Sequence, residues 1–229
     1  MRKLKLVTPV RVSENPIAQQ YIVISGLRGS GKSTLVESLR TPLNALGMWQ
    51  RMTQIVPELW GNNPYIPLNP EPKSKEAIHL SELQLQNAKT QLMVGRFWWE
   101  KGFNVIQDTT FEDIKSIYAS DYYLGEERMI VVSSALQGHN PHDYPKETLR
   151  VFLNPPFEFL VSRIQGRGRG YEELTPRFKE ALIAEYEEYQ KLVSYRMCCD
   201  HNSGKVLEIV NPQLEPMEIV DRIVKTIQK

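Results

Sequence analysis

A glycine-rich motif near the start of the chain constrains the fold more than any other feature. The segment Gly26-Leu27-Arg28-Gly29-Ser30-Gly31-Lys32-Ser33 fits the pattern G-x-x-x-x-G-K-[ST] without a mismatch. The apolar run at 21–24 predicts a buried strand before it, and the apolar spacing over 33–46 predicts a helix after it. This order of strand, loop and helix is the context in which the motif binds a nucleoside triphosphate.

The segment from Gly26 to Thr34 is therefore predicted to bind a nucleoside triphosphate, with a glycine-rich turn that matches by chance as the alternative. Its glycines let successive backbone N–H groups point at phosphate oxygens, and the first turn of the helix adds its unpaired N–H groups. Lys32 is expected to reach the outer phosphates. The Ser33 hydroxyl is expected to hold Mg²⁺.

Composition narrows the class of protein. A chain of 229 residues suits one α/β domain, and 28 basic residues against 27 acidic ones disfavour broad binding to nucleic acid. The only cysteines, Cys198 and Cys199, are adjacent, which indicates a reducing compartment without disulfides. The sequence has no zinc fingerprint, no leader and no long apolar run. We therefore expect a soluble, cytoplasmic protein without a membrane partner; a homodimer stays open.

Two acidic residues follow predicted strands. One strand stops at Pro57, which cannot donate to a ladder, so that Glu58 lies at its carboxyl end; another strand closes on Asp108. Parallel α/β sheets place their ligands at this edge. Asp108 is thus predicted to hold Mg²⁺ together with Ser33, near Lys32. Glu58 is a candidate functional carboxylate, with a solvated strand-end acid as the alternative.

Strand and helix patterns alternate along the chain. The predicted strands are 21–24, 51–56, 103–108, 149–153 and 206–210, and the predicted helices are 33–46, 76–101, 157–166, a segment from 175 onward and 216–229. This alternation predicts a parallel five-stranded sheet with helices on both faces. Residues 1–20 are expected to be an arm before a single domain at 21–229, and the pattern over 109–150 leaves helix and strand open.

An arginine-rich segment follows the fourth predicted strand. Arg163, Arg167 and Arg169 alternate with glycines, which places Arg163 at the end of a helix and the other two on a bendable segment. Guanidinium groups bind phosphate oxygens well, so we predict a lid over about 163–175. The alternatives are a solvated basic loop and an RNA-binding tract.

This order of motifs resembles the deoxynucleoside kinase family. The resemblance is carried by the glycine loop, by Glu58 with Asn63-Pro64-Tyr65 after it, by the strand that ends at Asp108, and by the segments 163–172 and 186–189. It implies a P-loop kinase three-layer fold with an arginine lid, and transfer of the ATP γ-phosphate to the 5′-hydroxyl of a (deoxy)nucleoside.

The resemblance also implies roles for single residues. Glu58 falls on the general base, Asp108 on the magnesium-side acid, Arg163, Arg167 and Arg169 on the lid arginines, and Glu172 on a lid acid near the sugar. Tyr65 belongs to the substrate motif. Gln84 is a candidate for reading the base, as are Gln86 and Gln91, although glutamines on a helix are more often solvated.

The chain departs from the family at three positions. Where the family follows its strand-end acid with Arg-Ser, this chain has Thr109-Thr110, and one guanidinium is missing there. The family's sugar-binding tyrosine and base-reading glutamine align without gaps with Pro70 and Ser81.

Three other functions compete with a nucleoside kinase. A thymidylate-kinase-like enzyme would take a monophosphate acceptor and would need a second phosphate clamp near Glu58, for which Arg51 and Arg96 are the obvious suppliers. A nucleotide-binding protein without transferase activity is the second. A kinase acting on a nucleic-acid end is the third, and the near-neutral charge disfavours it.

Overall fold

The computed structural model describes residues 18–46, 52–58, 70–138, 144–167, 175–199 and 204–228. Within them, five strands form one sheet: β1 (Tyr21–Gly26), β2 (Thr53–Val56), β3 (Asn104–Asp108), β4 (Leu149–Leu153) and β5 (Lys205–Ile209). All neighbouring strands pair in parallel, in the order β2-β3-β1-β4-β5. The chain builds the sheet to one side of β1 and then to the other, which opens a crevice at the carboxyl ends of the central strands.

Helices follow each strand in the sequence. They are α1 (Lys32–Leu46), α2 (Lys75–Glu100), α3 (Phe111–Asp113), α4 (Asp121–Leu124), α5 (Arg128–Leu136), α6 (Phe157–Arg167), α7 (Pro176–Cys199) and α8 (Pro216–Ile227). A π-helix covers Ile114–Tyr118, and a 3₁₀ turn covers Gly125–Glu127. None of the helices in this described part of the chain is long and apolar enough to cross a bilayer.

One face of the sheet packs against α1 and α8. Ile22 and Ile24 of β1 contact the stripe of α1 that contains Leu35 and Leu39, and Ile223 of α8 closes the same cluster. All five side chains are at most 2% exposed. The apolar residues whose spacing predicted helix α1 thus form the face of the helix that is buried against the sheet.

The other face packs against α2, α7 and the short helices between β3 and β4. The ring of Tyr189 in α7 packs edge-on against the ring of Phe152 in β4, with centroids 6.1 Å apart. The phenol of Tyr189 also donates to the carbonyl oxygens of Ser25 and Leu153, which fixes α7 against the ends of β1 and β4. Helices therefore cover both faces, as predicted.

The predicted elements agree with the structure except at two places. Arg167 is the last residue of α6 and not part of a bendable segment, because the helix continues past Gly166. The segment left open at 109–150 contains helical turns and then β4. The predicted arm lies outside the described residues up to position 17.

Candidate active site

The glycine loop connects β1 to α1 and turns sharply at two glycines. Gly29 and Gly31 have φ angles of 85° and 97°, which residues with a Cβ atom rarely adopt. A Cβ on Gly29 would lie 3.2 Å from the carbonyl oxygen of Leu160 in α6, and a Cβ on Gly31 would lie 3.2 Å from Arg163 Nη1. Helix α6 thus packs on the loop and places the Arg163 guanidinium beside it.

Polar atoms of the loop point inward. Lys32 is only 8% exposed. Its ammonium group donates a hydrogen bond to the carbonyl oxygen of Gly26 at 2.7 Å. Ser30 Oγ is buried without a hydrogen-bond partner in the described part of the chain. Leu27, also predicted to bind the nucleotide, has its side chain in the core, so only its backbone faces the loop. A cradle of this kind fits the phosphates of a nucleotide.

Ser33 and Asp108 face each other at the carboxyl ends of the central strands. Ser33 Oγ, in the first turn of α1, lies 3.5 Å from Asp108 Oδ2 at the end of β3. Burial raises the pKa of Asp108, and the charge of Lys32 acts against this. The next residue, Thr109, has φ 66°, a conformation that is strained for a β-branched residue and is found most often at functional sites.

This pair of oxygen donors fits Mg²⁺. The ion takes one or two protein oxygens and completes its shell with phosphate oxygens and water. Asp108 is 4% exposed, and burial raises its pKa, so a metal charge at this position would stabilise its carboxylate. Ser33 and Asp108 are the residues that would hold it.

Glu58 lies at the same edge of the sheet, after β2. Burial raises the pKa of its carboxyl above the ordinary value; the positive charges of Lys32 and Arg28 lower it, and the negative charge of Asp108 raises it further. Glu58 is therefore within electrostatic range of Asp108 and Lys32. The amide of Gln91 in α2 donates to the carbonyl oxygen of Pro57 at 2.5 Å and holds the backbone that carries Glu58.

A buried hydrogen-bond network lies beside the start of the glycine loop. Asp113 Oδ2 accepts hydrogen bonds from Ser25 Oγ at 3.0 Å and from the amide and hydroxyl of Thr110, both at 2.8 Å. Arg150 of β4 lies 3.9 Å from Asp113 and 2.7 Å from Glu112. Thr110 and Asp113 also form the capping box of α3. Ser25 precedes the loop directly, so this network fixes the point from which the loop starts.

A second charged pair joins the loop to α7. Arg28 Nη2 donates to Glu185 Oε1 at 2.7 Å, and the Tyr123 hydroxyl donates to the same oxygen at 2.7 Å. Glu185 is 1% exposed. The Arg28 guanidinium also lies over the rings of Tyr118 and Phe178.

The other predicted site residues are distributed as follows. Arg163 and Arg167 are exposed on α6, and Gln84 is half-buried on the side of α2 that carries Ser81 and Ala88. Gln91 is buried, and its side-chain amide donates a hydrogen bond to the carbonyl oxygen of Pro57. This contact argues against the expectation that Gln91 reads a base edge. Tyr65, Arg169 and Glu172 lie outside the described residues, as does Arg51.

Sequence reasoning missed Glu185, Asp113 and Tyr123. A signal existed for Glu185, because it occupies a position on the apolar stripe of α7 between Leu182 and Tyr189. An acid at a core position of a helix needs a buried partner. Asp113 follows Thr110 at capping-box spacing, which predicts a cap but not the contact with Ser25.

No protein-family model matches the sequence, and no curated protein matches it. The structure is similar to three solved structures of deoxyadenosine kinase from M. mycoides. The one with bound dATP has a TM-score of 0.65 and 17% identity, over 92% of this chain and 100% of that chain. The one with the products dCMP and a flexible dCDP has a TM-score of 0.63 and 16% identity, over 91% and 99%. The one with bound dCTP has a TM-score of 0.60 and 15% identity, again over 91% and 99%. This likeness confirms the predicted fold, a parallel five-stranded sheet with helices on both faces.

Proposed function

We propose that the protein is an ATP-dependent (deoxy)nucleoside kinase, which transfers the γ-phosphoryl group of ATP to the 5′-hydroxyl of its acceptor. The observation that carries the proposal is the position of Glu58. The charges of Lys32 and Asp108 act on its carboxyl, and it follows β2 at the edge of the sheet where the glycine loop begins. A carboxylate beside a phosphate loop and a magnesium ligand can deprotonate an acceptor hydroxyl.

The donor side consists of the loop and its cations. The backbone from Gly26 to Thr34 would bind the phosphates of ATP, and Lys32 would exchange its bond to Gly26 for the outer phosphates. Ser33 and Asp108 would hold Mg²⁺, which would supply positive charge to the phosphates.

Glu58 would act on the acceptor side. Its raised pKa makes its carboxylate a stronger base than that of an exposed glutamate. The hydroxyl oxygen of the acceptor forms a bond to the γ-phosphorus as the bond from phosphorus to the bridging oxygen of ADP breaks. The hydroxyl proton passes to Glu58.

The charges around Glu58 favour an uncharged acceptor. Asp108 and Asp113 act on its carboxyl together with the cations Lys32 and Arg28. Arg28 is already paired with the buried Glu185. A nucleoside monophosphate would bring two further negative charges to Glu58, Asp108 and Asp113, which already outnumber the two cations that act on Glu58, and this supports a nucleoside over a nucleotide.

The lid and the substrate contacts extend the proposal. Arg163 lies against Gly31, where its guanidinium can reach a bound phosphate, and Arg167, at the end of α6, and Arg169 would contact the nucleotide phosphates. Tyr65, Gln84 and Glu172 would contact the acceptor.

The test is a transfer assay with a panel of acceptors. ATP consumption would be measured against nucleosides, deoxynucleosides, nucleoside monophosphates and 5′-hydroxyl oligonucleotides, with Lys32→Ala as the negative control. We expect ADP formation with a nucleoside and background turnover in the variant. Preference for a monophosphate or an oligonucleotide would replace the proposed acceptor. If the wild type consumes ATP with none of the acceptors, or if Lys32→Ala is as active as the wild type, the proposed transfer is wrong.

A further inference from the structure

A cavity of about 500 Å³ lies on the side of the sheet that α2 and α7 cover. Its floor is formed by strand residues, which are Tyr21 and Val23 of β1, Gln107 of β3 and Arg150 of β4. Side chains of α2, α3, α5 and α7 and of the segment 144–147 form its walls. Small-molecule sites in proteins measure about 300–1,000 Å³, so this cavity has the size of a ligand site.

The cavity is separate from the candidate active site. Among the described residues, neither the glycine loop at 26–34 nor Glu58 nor Asp108 lines it. Tyr21 is the first residue of β1 and Glu147 lies before β4, whereas the glycine loop follows the carboxyl end of β1. A ligand in this cavity would therefore leave the glycine loop free for a nucleotide.

The floor of the cavity is more polar than the opposite face of the same strands. Successive strand residues point to opposite faces, and the neighbours on the other face are apolar core residues, Ile22, Ile106 and Val151. On the cavity side, the hydroxyl of the buried Tyr21 donates to Oε1 of the buried Gln107 at 2.5 Å. Arg150 is buried beside them. Buried polar groups are costly, and here they are gathered next to an open space.

Cationic side chains outnumber acidic ones in the lining. The lining contains five cationic residues, Lys89, Lys115, Lys146, Arg150 and Arg196, and two acidic ones, Glu112 and Glu147. Both acids are already paired with arginines. Arg150 lies 2.7 Å from Glu112 and 2.9 Å from Glu147, and Arg196 pairs with the same two acids. The lysines are thus an excess of positive charge.

The three lysines have no acidic partner in the described part of the chain. The Lys89 ammonium donates to the carbonyl oxygens of Ala135 and Gln137 at 3.2 Å and 3.3 Å, which satisfies hydrogen bonds but does not neutralise its charge. Lys89 and Lys115 are half-buried, and Lys146 is exposed. An anion in the cavity would neutralise charge that the fold leaves uncompensated.

Apolar and aromatic side chains complete the walls. Leu92 of α2, Phe111 of α3, Leu136 of α5 and Pro145 line the cavity and are half-buried. Tyr144 adds a second ring. Rings and branched side chains around a few polar groups are typical of sites that bind a flat, mostly apolar body.

We infer that this cavity is a second binding site, which takes a small organic anion with an aromatic body. The anionic group, a carboxylate or a phosphate, pairs with Lys115 and Lys146, and the body lies against Phe111 and Leu136. Binding here does not require phosphoryl transfer, so the inference is independent of the proposed function.

The cavity is connected to the glycine loop by direct contacts. Thr110 and Arg150 line it, and both contact Asp113, at 2.8 Å and 3.9 Å. Asp113 in turn accepts a hydrogen bond from Ser25, directly before the loop. Because linkage is reciprocal, any factor by which the ligand changes the affinity for ATP must equal the factor by which ATP changes the affinity for the ligand.

Calorimetric titration with four probes tests this site. Indole-3-acetate and AMP are aromatic anions, one with a carboxylate and the other with a phosphate. Indole-3-acetamide is the neutral match of the first, and inorganic phosphate lacks the aromatic body. Each titration is carried out without ATP and with saturating ATP.

Two variants and a control locate the binding. Lys115→Glu/Lys146→Glu reverses the charge at side chains that reach solvent, and Leu136→Trp fills the cavity. Lys225→Glu is the matched control, because Lys225 is exposed on α8, on the other side of the sheet. The melting temperature of each variant is measured, and the lysine variant decides alone if Leu136→Trp does not fold.

We expect at least one of the two aromatic anions to bind once per chain in the presence of saturating ATP, with a dissociation constant below about 1 mM. Which of them binds shows whether the site takes a carboxylate or a phosphate. Indole-3-acetamide and inorganic phosphate should bind at least about tenfold more weakly, since each lacks part of the contacts. Lys115→Glu/Lys146→Glu should weaken the bound anion about tenfold or more, Leu136→Trp should weaken it as well, and Lys225→Glu should not change it.

The opposite results are equally distinct. If neither anion binds, or if ATP displaces the bound anion completely, the second site does not exist, and in the latter case the probe occupies the glycine loop. Equal affinity for indole-3-acetamide would show a merely apolar cavity, and equal affinity for inorganic phosphate would show an anion patch without a place for the body; both overturn the inferred ligand class. An anion affinity that Lys115→Glu/Lys146→Glu leaves unchanged overturns the assignment to this cavity.

Discussion

The side-chain amide of Gln91 donates a hydrogen bond of 2.5 Å to the carbonyl oxygen of Pro57, the residue before Glu58. Gln91 is 3% exposed in the middle of α2, a long helix packed on the sheet. The helix therefore holds the backbone at the end of β2, directly before Glu58.

Gln91→Ala is therefore expected to lower kcat by about tenfold, because a small displacement of a general base from its acceptor is costly. ATP binding should not change, since the glycine loop is untouched. Steady-state kinetics and ATP titration on the same preparation check this. Gln86→Ala, at an exposed position of the same helix, is the control and should behave as the wild type. Equal turnover in both variants would show that Glu58 is held by other contacts.

Glu58→Gln gives the most direct test of the base. Glutamine keeps the shape and a hydrogen bond to the acceptor hydroxyl but cannot take its proton, so kcat should fall by about 10²–10⁴-fold with ATP affinity nearly unchanged. The exposed Glu71→Gln is the matched control. Acceptor phosphorylation and ATP binding are measured side by side. Nearly full turnover in Glu58→Gln would mean that Glu58 is only a solvated strand-end acid.

Asp108→Asn tests the magnesium site. The amide keeps the size of the side chain but removes the charge opposite Ser33, so the Mg²⁺ concentration for half-maximal activity should rise at least about tenfold. Activity is titrated against free Mg²⁺ at a fixed ATP concentration. Asp121→Asn, with a side chain 75% exposed, serves as the control. An unchanged Mg²⁺ dependence in Asp108→Asn would place the metal elsewhere.

The pH dependence of kcat/KM follows from the groups that face Glu58. Burial raises its pKa, Lys32 and Arg28 lower it, and Asp108 and Asp113 raise it. A base must be deprotonated to act, so activity should be lost as the pH falls through this raised pKa, above the ordinary value of about 4.3. Removing Arg28 removes a lowering charge, and Arg28→Ala should move this acid limb to higher pH. A pH-rate profile with a limb at or below about 4.3, or one that Arg28→Ala leaves in place, would contradict the assignment.

Much of the fold could be predicted because its signals are local. The predicted strand at 149–153 coincides with β4, and the helix after the glycine loop begins one residue before its predicted start at Ser33. Both depend on the apolar period of a short window. The end of α6 was missed because Gly166 was read as a stop, whereas the helix continues to Arg167. A glycine weakens a helix by only about 1 kcal/mol, and packing of α6 on the loop exceeds that.

The site was predictable only where residues follow a strand directly. Glu58, Asp108 and the glycine loop meet because parallel strands end at one edge. Glu185 and Asp113 enter from α7 and α3, distant in sequence, and no local pattern states that they contact Arg28 and Ser25. Such contacts depend on tertiary packing, which composition and period do not encode.

The last prediction concerns the stability of the buried ion cluster around Arg150. Its side chain is 3% exposed and pairs with Glu112 at 2.7 Å and with Glu147 at 2.9 Å. Although burial alone would lower the Arg150 pKa, the nearby acids raise it, so the guanidinium stays charged. Arg150→Met removes a buried cation from Glu112 and Glu147, which keep Arg196 as a partner, and from the buried Asp113, and it should cost about 3 kcal/mol of unfolding free energy.

Denaturant unfolding of wild type and variant measures this loss. Arg96→Met is the control, because Arg96 pairs with Glu100 on the surface with side chains 45% and 57% exposed, and it should cost no more than about 0.5 kcal/mol. The Arg150 network also reaches Asp113 and through it Ser25, so Arg150→Met should weaken ATP binding more than Arg96→Met does. A variant as stable as the wild type would show that the acids around Arg150 are protonated or solvated once the cation is removed.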